Sequence, residues 1–336
     1  MRILGIDTSC DDTAVALLKV GNSKFEILSN IVSSQVKIHQ KYGGVYPFLA
    51  KREHQKNLPI VLKSAIKGYK FSNIDLIGVT VGPGLEPCLW QGINFAKEIA
   101  RKHKKPLIPV NHIEAHILAN FINRSSTAIK FPAVALVVSG GHTQLVLIKK
   151  IGQYKLIGET RDDAAGECFD KVARILDLGY PGGPAIAAQA AKFKKDKNYT
   201  GVELLYSLPR PMIKQKNYDF SFSGLKTAVL YKVKEKKYNK KAMAAEVQQA
   251  IIDVLIYKTL KAVKDYKVKS VLLGGGVAAN DELRKQFRKK TKIFVPPKNL
   301  CTDNAAMVAA TCYFHRKERK KLEGIKADAN FRIKNL

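Results

Sequence analysis

The chain has 336 residues, 46% of them hydrophobic, which suits two lobes or one large α/β unit with a full core. No apolar run approaches the ~20 residues of a membrane span, and the N-terminus enters a strand pattern at Arg2–Ile6 without a charged leader and long apolar stretch, so a cytoplasmic protein is expected. With 58 basic against 28 acidic residues the net charge is +30, an excess that favours polyanionic partners, RNA first among them.

A lysine-biased proteome gives the same charge, and lysine far outnumbers arginine here, whereas arginine is the usual bidentate phosphate ligand. The five cysteines (Cys10, Cys88, Cys168, Cys301, Cys312) are odd in number, scattered, and never spaced Cys-x-x-Cys. A disulfide framework or thiolate metal cage is therefore not expected.

Residues 3–18 read as two strands joined by a polar turn crowded with Asp7, Thr8, Ser9, Asp11, Asp12 and Thr13. Such a turn can offer N–H groups and hydroxyls to a phosphate, although these residue types favour turns in any case. A loop at Tyr42–Pro47 precedes a helix over 50–67, where Leu58, Val61, Leu62, Ala65 and Ile66 recur at helical spacing. A buried strand over 74–81 ends at Gly82-Pro83-Gly84; a helix over about 89–102 and a short apolar strand over 106–110 follow.

That strand runs into Asn111-His112-Ile113-Glu114-Ala115-His116. Residues four apart share a helix face, with Cβ atoms about 5–6 Å apart, so His112 and His116 can share one divalent metal at the carboxyl end of a strand, where open α/β sheets hold ligands. From spacing alone, two helix-surface histidines explain the pattern equally well. Zinc proteases place the general base directly after the first histidine, His-Glu-x-x-His. At roughly 100° per residue, Glu114 points about 200° from His112 and so away from any shared metal, which argues against that chemistry.

A second unit is expected from Phe131. Residues 132–148 repeat the strand, polar turn, strand design of 3–18, which suggests an internal duplication. Gly140 and Gly141 allow close backbone approach to a ligand; His142 is either a ligand or a hydrogen-bonded structural residue. Residues 162–184 combine a helix carrying Asp170 with a loop, Tyr180-Pro181-Gly182-Gly183-Pro184, able to lie against a flat ligand. Lysines and tyrosines interleave from 192 to 241, a pattern that suits RNA or equally a solvated face. Residues 243–263 read as a helix, and 271–284 as strand, glycine turn and helix, a phosphate- or nucleoside-binding arrangement that includes Asn280. Thr302 or Asp303 can cap the helix beginning near Ala305; alternatively Asp303 is a carboxylate ligand. The lysine-rich tail from His315 reads as peripheral.

Taken in order, Asp-Thr-Ser-Cys-Asp-Asp-Thr (7–13), Tyr-Gly-Gly-Val-Tyr-Pro (42–47), Asn-His-Ile-Glu-Ala-His (111–116), Val-Ser-Gly-Gly-His-Thr (138–143), Asp-Asp-Ala-Ala-Gly-Glu (162–167), Phe-Asp-Lys-Val-Ala-Arg (169–174), Phe-Ser-Phe-Ser-Gly-Leu-Lys-Thr (220–227), Gly-Gly-Gly-Val-Ala-Ala-Asn (274–280) and Cys-Thr-Asp-Asn-Ala-Ala-Met (301–307) give a chain that resembles the bacterial branch of the tRNA N6-adenosine threonylcarbamoyltransferase family. The resemblance implies an actin-like ATPase fold, two duplicated α/β lobes around a central cleft: 1–130, and 131–336 with a last helix able to pack back on the first lobe. It implies one divalent metal, iron before zinc, held by His112, His116 and Asp303, the last from the far lobe. It also implies an adenylate substrate, threonylcarbamoyl-AMP, bound by Val137, Val138, Ser139, Gly140, Gly141, Asp170, Gly183 and Asn280.

The implied reaction is threonylcarbamoyl transfer to N6 of the adenosine 3′ of the anticodon, in tRNAs reading codons that begin with A. A paralogous TsaB-type partner and a TsaE-type ATPase are implied, with a TsaC-family synthase supplying the intermediate. Asp12 is the candidate for taking the N6 proton. Three departures from the family pattern stand out: Asp12 for the usual Glu, Asp7 where Glu is frequent, and a bulky Leu-Glu-Pro-Cys-Leu-Trp-Gln-Gly (85–92) with Trp90, where a partner could sit differently. Two other readings are a non-catalytic tRNA-binding scaffold of the same complex and a small-molecule kinase of the same fold. The first should lack the metal ligands; the second leaves the histidine pair unexplained.

Overall fold

The hairpin expected at the N-terminus forms, and in the computed structural model it is the first part of a five-stranded sheet. The structure describes residues 1–21, 24–122, 124, 128–195, 206–235, 238–318 and 321–333. The lysine- and tyrosine-rich stretches over 196–205 and 236–237 lie outside them. The chain divides into two units: residues 1–130, 151–153 and 295–336 form one, and residues 131–150 and 154–294 the other.

In the first unit β1 (Arg2–Asp7) pairs antiparallel with β2 (Asp12–Gly21), which pairs with β3 (Lys24–Ser34). After a short α1 (Val36–His39) and the long α2 (Pro47–Ala65), β4 (Leu76–Gly82) joins β1 in parallel. Next come α3 (Glu86–His103), β5 (Leu107–Asn111), parallel to β4, and α4 (His112–Leu118). The sheet order is β3-β2-β1-β4-β5. The apolar face of α2 and α3 (Leu58, Val61, Leu89, Ile93, Ala96) packs on Leu4, Ile6, Val15, Leu17, Ile77 and Val79. Trp90 is half-buried against this core, its ring N–H 3.4 Å from Glu86.

The second unit repeats the plan. Strands β6 (Ala133–Val138) and β7 (Thr143–Lys150) form the antiparallel pair, with β8 (Gln153–Glu159) on the outer edge. Helices α5 (Ala165–Ile175), α6 (Gly182–Lys195), α7 (Ser223–Lys234) and α8 (Lys240–Asp265) precede β9 (Ser270–Gly274), which is parallel to β6; α9 (Asp281–Lys290) leads to β10 (Ile293–Phe294), parallel to β9. The order β8-β7-β6-β9-β10 matches that of the first sheet strand for strand. The loop expected at 180–184 instead runs into α6, which takes Gly183 and Pro184 into its first turn, a place where proline's missing N–H costs nothing.

The chain then returns to the first unit with α10 (Ala305–Phe314). As allowed for a last helix, residues from 295 onward group with the N-terminal sheet, and Asp303, expected from the far lobe, is among them. Two glycines explain how α10 lies so close. A Cβ on Gly5 would stand 2.2 Å from the Ala305 carbonyl and 2.8 Å from the Ala309 nitrogen, and one on Gly78 would stand 2.8 Å from Cys312 Cβ. Helix backbone cannot yield to a methyl group cheaply, so Gly5→Ala should destabilise the protein by about 1–3 kcal/mol, read by denaturant unfolding.

The tail is not peripheral. Ile325 and Ile333 are buried, the Asp328 amide donates to the Val81 carbonyl (2.8 Å), and a Cβ on Gly82, at φ +149°, would stand 1.8 Å from the Asp328 carbonyl oxygen. Its lysines hid the apolar residues that anchor it.

Candidate metal centre and nucleotide-binding turns

Strand β5 ends at Asn111, whose side chain turns the backbone directly into α4. Its Oδ1 accepts from the Ile113 and Glu114 amides (2.9 and 3.1 Å), satisfying two helix-start donors, while its Nδ2 donates to the Phe331 carbonyl at 3.0 Å. The cap therefore fixes the first turn of α4 and ties it to the C-terminal tail. Asn111→Ala should cost about 1 kcal/mol, seen as a lower unfolding midpoint, and should loosen the helix that carries both histidines.

His112 and His116 occupy one face of α4 with ring centroids 4.6 Å apart. Asp303 completes the group: its Oδ1 is 3.5 Å from His112 Nε2 and 3.2 Å from His116 Nε2. One ligand atom from each residue lies within 4.8 Å of the others, and among the described residues this is the group of histidine, cysteine, aspartate and glutamate side chains able to hold a metal. Both histidines are buried and Asp303 is the partly exposed member. Asn304, not Thr302 or Asp303, caps α10, its Oδ1 accepting from the Met307 amide at 3.2 Å. The capping role is filled next door, which leaves Asp303 to face the histidines.

The donor set fits a divalent cation: two imidazoles and one carboxylate converge, and His116 Nε2 is buried without a hydrogen bond. The electrostatics agree. Burial opposes charge on Asp303, but His112 and then His116 hold its carboxyl well below the usual range. Against burial, Asp303 first and Asp7 next hold His112 up to about 9, while burial lowers His116. Glu114 faces the other way, its Oε1 2.8 Å from His315 Nε2, as the helical geometry requires.

The acidic turn after β1 lies in the same field. Burial, with Asp303, Asp11 and Asp7 adding, pushes Asp12 up to about 7 against a hydrogen bond from Ser34. Its Oδ1 is buried without a hydrogen-bond partner. His54, which no sequence signal singled out, ties this turn to the start of β2: Nε2 donates to the Cys10 carbonyl (2.8 Å) and Nδ1 accepts from the Thr13 hydroxyl (2.8 Å). Burial lowers its pKa to about 4, so it works as a neutral ring.

The expected adenylate residues sit in the second unit. Val137 and Val138 end β6, and Ser139, Gly140 and Gly141 make the turn to β7. A Cβ on either glycine would meet nothing within 4 Å, and the same holds for Gly183. Two close approaches gather the surrounding elements onto this turn. Gly166 of α5 donates to the Ser139 carbonyl (3.1 Å), and Gly275, at φ +87°, brings the turn after β9 against Val138. Asp170 accepts from the Gly182 amide at the start of α6 (2.7 Å). Asn280 caps α9 through the Leu283 amide (3.0 Å) and donates to Gln248 (2.9 Å). Both polar side chains thus have structural partners, whereas the space beside Gly140, Gly141 and Gly183 is open. His142 lies in this turn, its amide donating to Ser139 Oγ (3.1 Å), apart from the metal-capable group.

The family model described as TsaD, tRNA N6-adenosine threonylcarbamoyltransferase, matches residues 26–310. The chain belongs to this family. Proteins of that name from Thermosipho africanus and Persephonella marina are 51% and 48% identical to it, covering 93% and 98% of this chain and 94% of each relative. It is thus a transferase of tRNA modification. Two solved structures share its fold at low identity. Component A of Acidaminococcus fermentans (R)-2-hydroxyglutaryl-CoA dehydratase has a TM-score of 0.55 and 16% identity, covering 94% of this chain and 99% of its own. HypF of T. kodakarensis has a TM-score of 0.62 and 14% identity, covering 94% of this chain and 48% of its own. With the two matching sheets, they assign the duplicated α/β fold of the actin-like ATPases. No helix among the described residues is long and apolar enough to cross a membrane.

Proposed function

We propose that this chain moves a threonylcarbamoyl group from threonylcarbamoyl-AMP to N6 of the adenosine 3′ of the anticodon in tRNAs that read codons beginning with A. The observation that carries the reading is the convergence of two buried histidines, His112 and His116, with Asp303 in a member of a transferase family. A scaffold would have no use for such a group.

In this reading the N–H groups of the 139–141 and 274–276 turns hold the adenylate, with Val137, Val138, Asp170, Gly183 and Asn280 shaping its surroundings. His112, His116 and Asp303 hold the divalent cation, iron or zinc, which when bound supplies Lewis-acid polarisation of the donor. The N6 nitrogen attacks the carbamoyl carbon, the bond from that carbon to the phosphate oxygen breaks, and AMP leaves with the electron pair. Asp12 takes the N6 proton. Its carboxyl near pH 7 suits a general base at neutral pH. The paralogous TsaB-type partner, the TsaE-type ATPase, a TsaC-family synthase as supplier, and a cytoplasmic setting belong to the same proposal.

The test is a transfer assay with the purified chain, unmodified tRNA, threonine, bicarbonate, ATP, the synthase and the partner proteins, with adenosine products read by mass spectrometry. The proposal expects an adenosine heavier by one threonylcarbamoyl group. No such product, with the other proteins shown to be active, would transfer the reading to a tRNA-binding scaffold.

A further inference from the structure

The two ring nitrogens of His112 face two different carboxylates. Nε2 lies 3.5 Å from Asp303 Oδ1, on the side shared with His116. Nδ1 points the opposite way and lies 3.7 Å from Asp7 Oδ2. Asp7 ends β1 and is fully buried; its Oδ1 accepts from the Ser9 amide at 3.1 Å, which fixes the carboxylate plane. Asp7 Oδ2 and His112 Nδ1 are both buried side-chain atoms without a hydrogen bond, and they face each other.

An orphaned buried polar atom costs about 1–3 kcal/mol, so an opposed pair needs a role. A histidine that offers one nitrogen to a metal donates the other ring N–H, most often to a carboxylate, which sets its tautomer and strengthens it as a ligand. Closing 3.7 Å to a hydrogen bond of about 2.9 Å needs a movement of under about an ångström. Both Nδ1 atoms are buried without a hydrogen bond, but the ion pair opposite Nδ1 is found for His112, with Asp7; His116 is paired through Nε2, with Asp303.

We infer that Asp7 is the positioning residue of the cation site: its Oδ2 accepts the His112 Nδ1 proton and leaves the Nε2 lone pair aimed into the group formed with His116 and Asp303. The inference rests on the reading of those three residues as a cation site. It adds a residue from β1 at the ring nitrogen of His112 that Asp303 does not face.

The test is a chelator-competition titration of the full chain with Zn2+, comparing wild type, Asp7→Asn, Asp7→Ala and His112→Ala. Asp7→Ala should weaken Zn2+ binding by about 10–100-fold. Asp7→Asn, which keeps an uncharged acceptor, should weaken it less, and the unfolding midpoints of the metal-free variants, read alongside, show that each is folded when it is titrated. Equal Zn2+ binding by wild type and His112→Ala would overturn the cation site and this inference with it. Binding lost in His112→Ala but kept within about threefold in both Asp7 variants, short of that loss, would overturn the inference alone. If Asp7→Ala does not fold, 15N NMR of the zinc-loaded wild type decides. A His112 Nδ1 proton that is shifted far downfield and protected from exchange, as a hydrogen bond to Asp7 requires, supports the inference, and an Nδ1 proton that exchanges freely, or a proton on Nε2, overturns it.

Discussion

His112→Ala and Asp303→Ala each lower threonylcarbamoyl transfer to tRNA by at least about 100-fold. A Lewis acid at a reacting group contributes several kcal/mol, and each ~1.4 kcal/mol is tenfold in rate. Either substitution removes one of three converging ligand atoms. The two variants differ in their effect on the bare protein. Asp303→Ala deletes the carboxylate that both histidines face at 3.5 and 3.2 Å, so His112 loses the main group that holds its charge. His112→Ala leaves Asp303 with His116 as its remaining histidine neighbour. Mass-spectrometric turnover, with binding of unmodified tRNA measured in parallel, separates a chemical defect from a folding one. Lost transfer with retained tRNA binding is the expected pattern.

The second large effect concerns stability and pH. His315, just after α10, is sandwiched between Glu114 of α4 (Nε2, 2.8 Å) and Glu318 (Nδ1, 2.9 Å). Burial opposes its protonation, but Glu114 first and Glu318 next outweigh that and hold it up to about 9. Its pKa is thus raised on folding, so the stabilisation is fully present below the unfolded value of about 6.5 and is lost as pH rises through about 9. His315→Gln should therefore be less stable than wild type by about 2–3 kcal/mol near pH 6, with the gap closing by about pH 10. Denaturant unfolding of both proteins across that range checks it; a gap independent of pH would mean that packing, not charge, is what the ring supplies. The contact matters for the site because Glu114 lies on the back of the helix whose front carries His112 and His116.

The sequence showed the duplication because its strongest signal, apolar strand, polar turn, apolar strand, occurs at the start of both units. Strand β3 escaped because Lys24–Ser34 is an edge strand, half-exposed along most of its length and punctuated by Ser29, Asn30 and Ser33. The pairing of His112 with His116 was legible because helical spacing is local. Asp303 was harder. Its place depends on α10 crossing β1 and β4 over Gly5 and Gly78, a long-range fit with no local pattern, so resemblance put it in the far lobe when it shares the unit of the histidines. Asp7 and His54 looked like turn and helix residues; their importance is in what they face. The tail misled for the opposite reason: its lysines dominate composition, while Ile325 and Ile333 decide where it packs.

The most direct measurement is transfer by wild-type protein stripped with a chelator, then titrated with one divalent cation at a time. Activity should fall to the level of Asp303→Ala and return at one equivalent of cation per chain. Full activity in protein shown by elemental analysis to be metal-free would contradict a cation held by His112, His116 and Asp303 as part of the reaction.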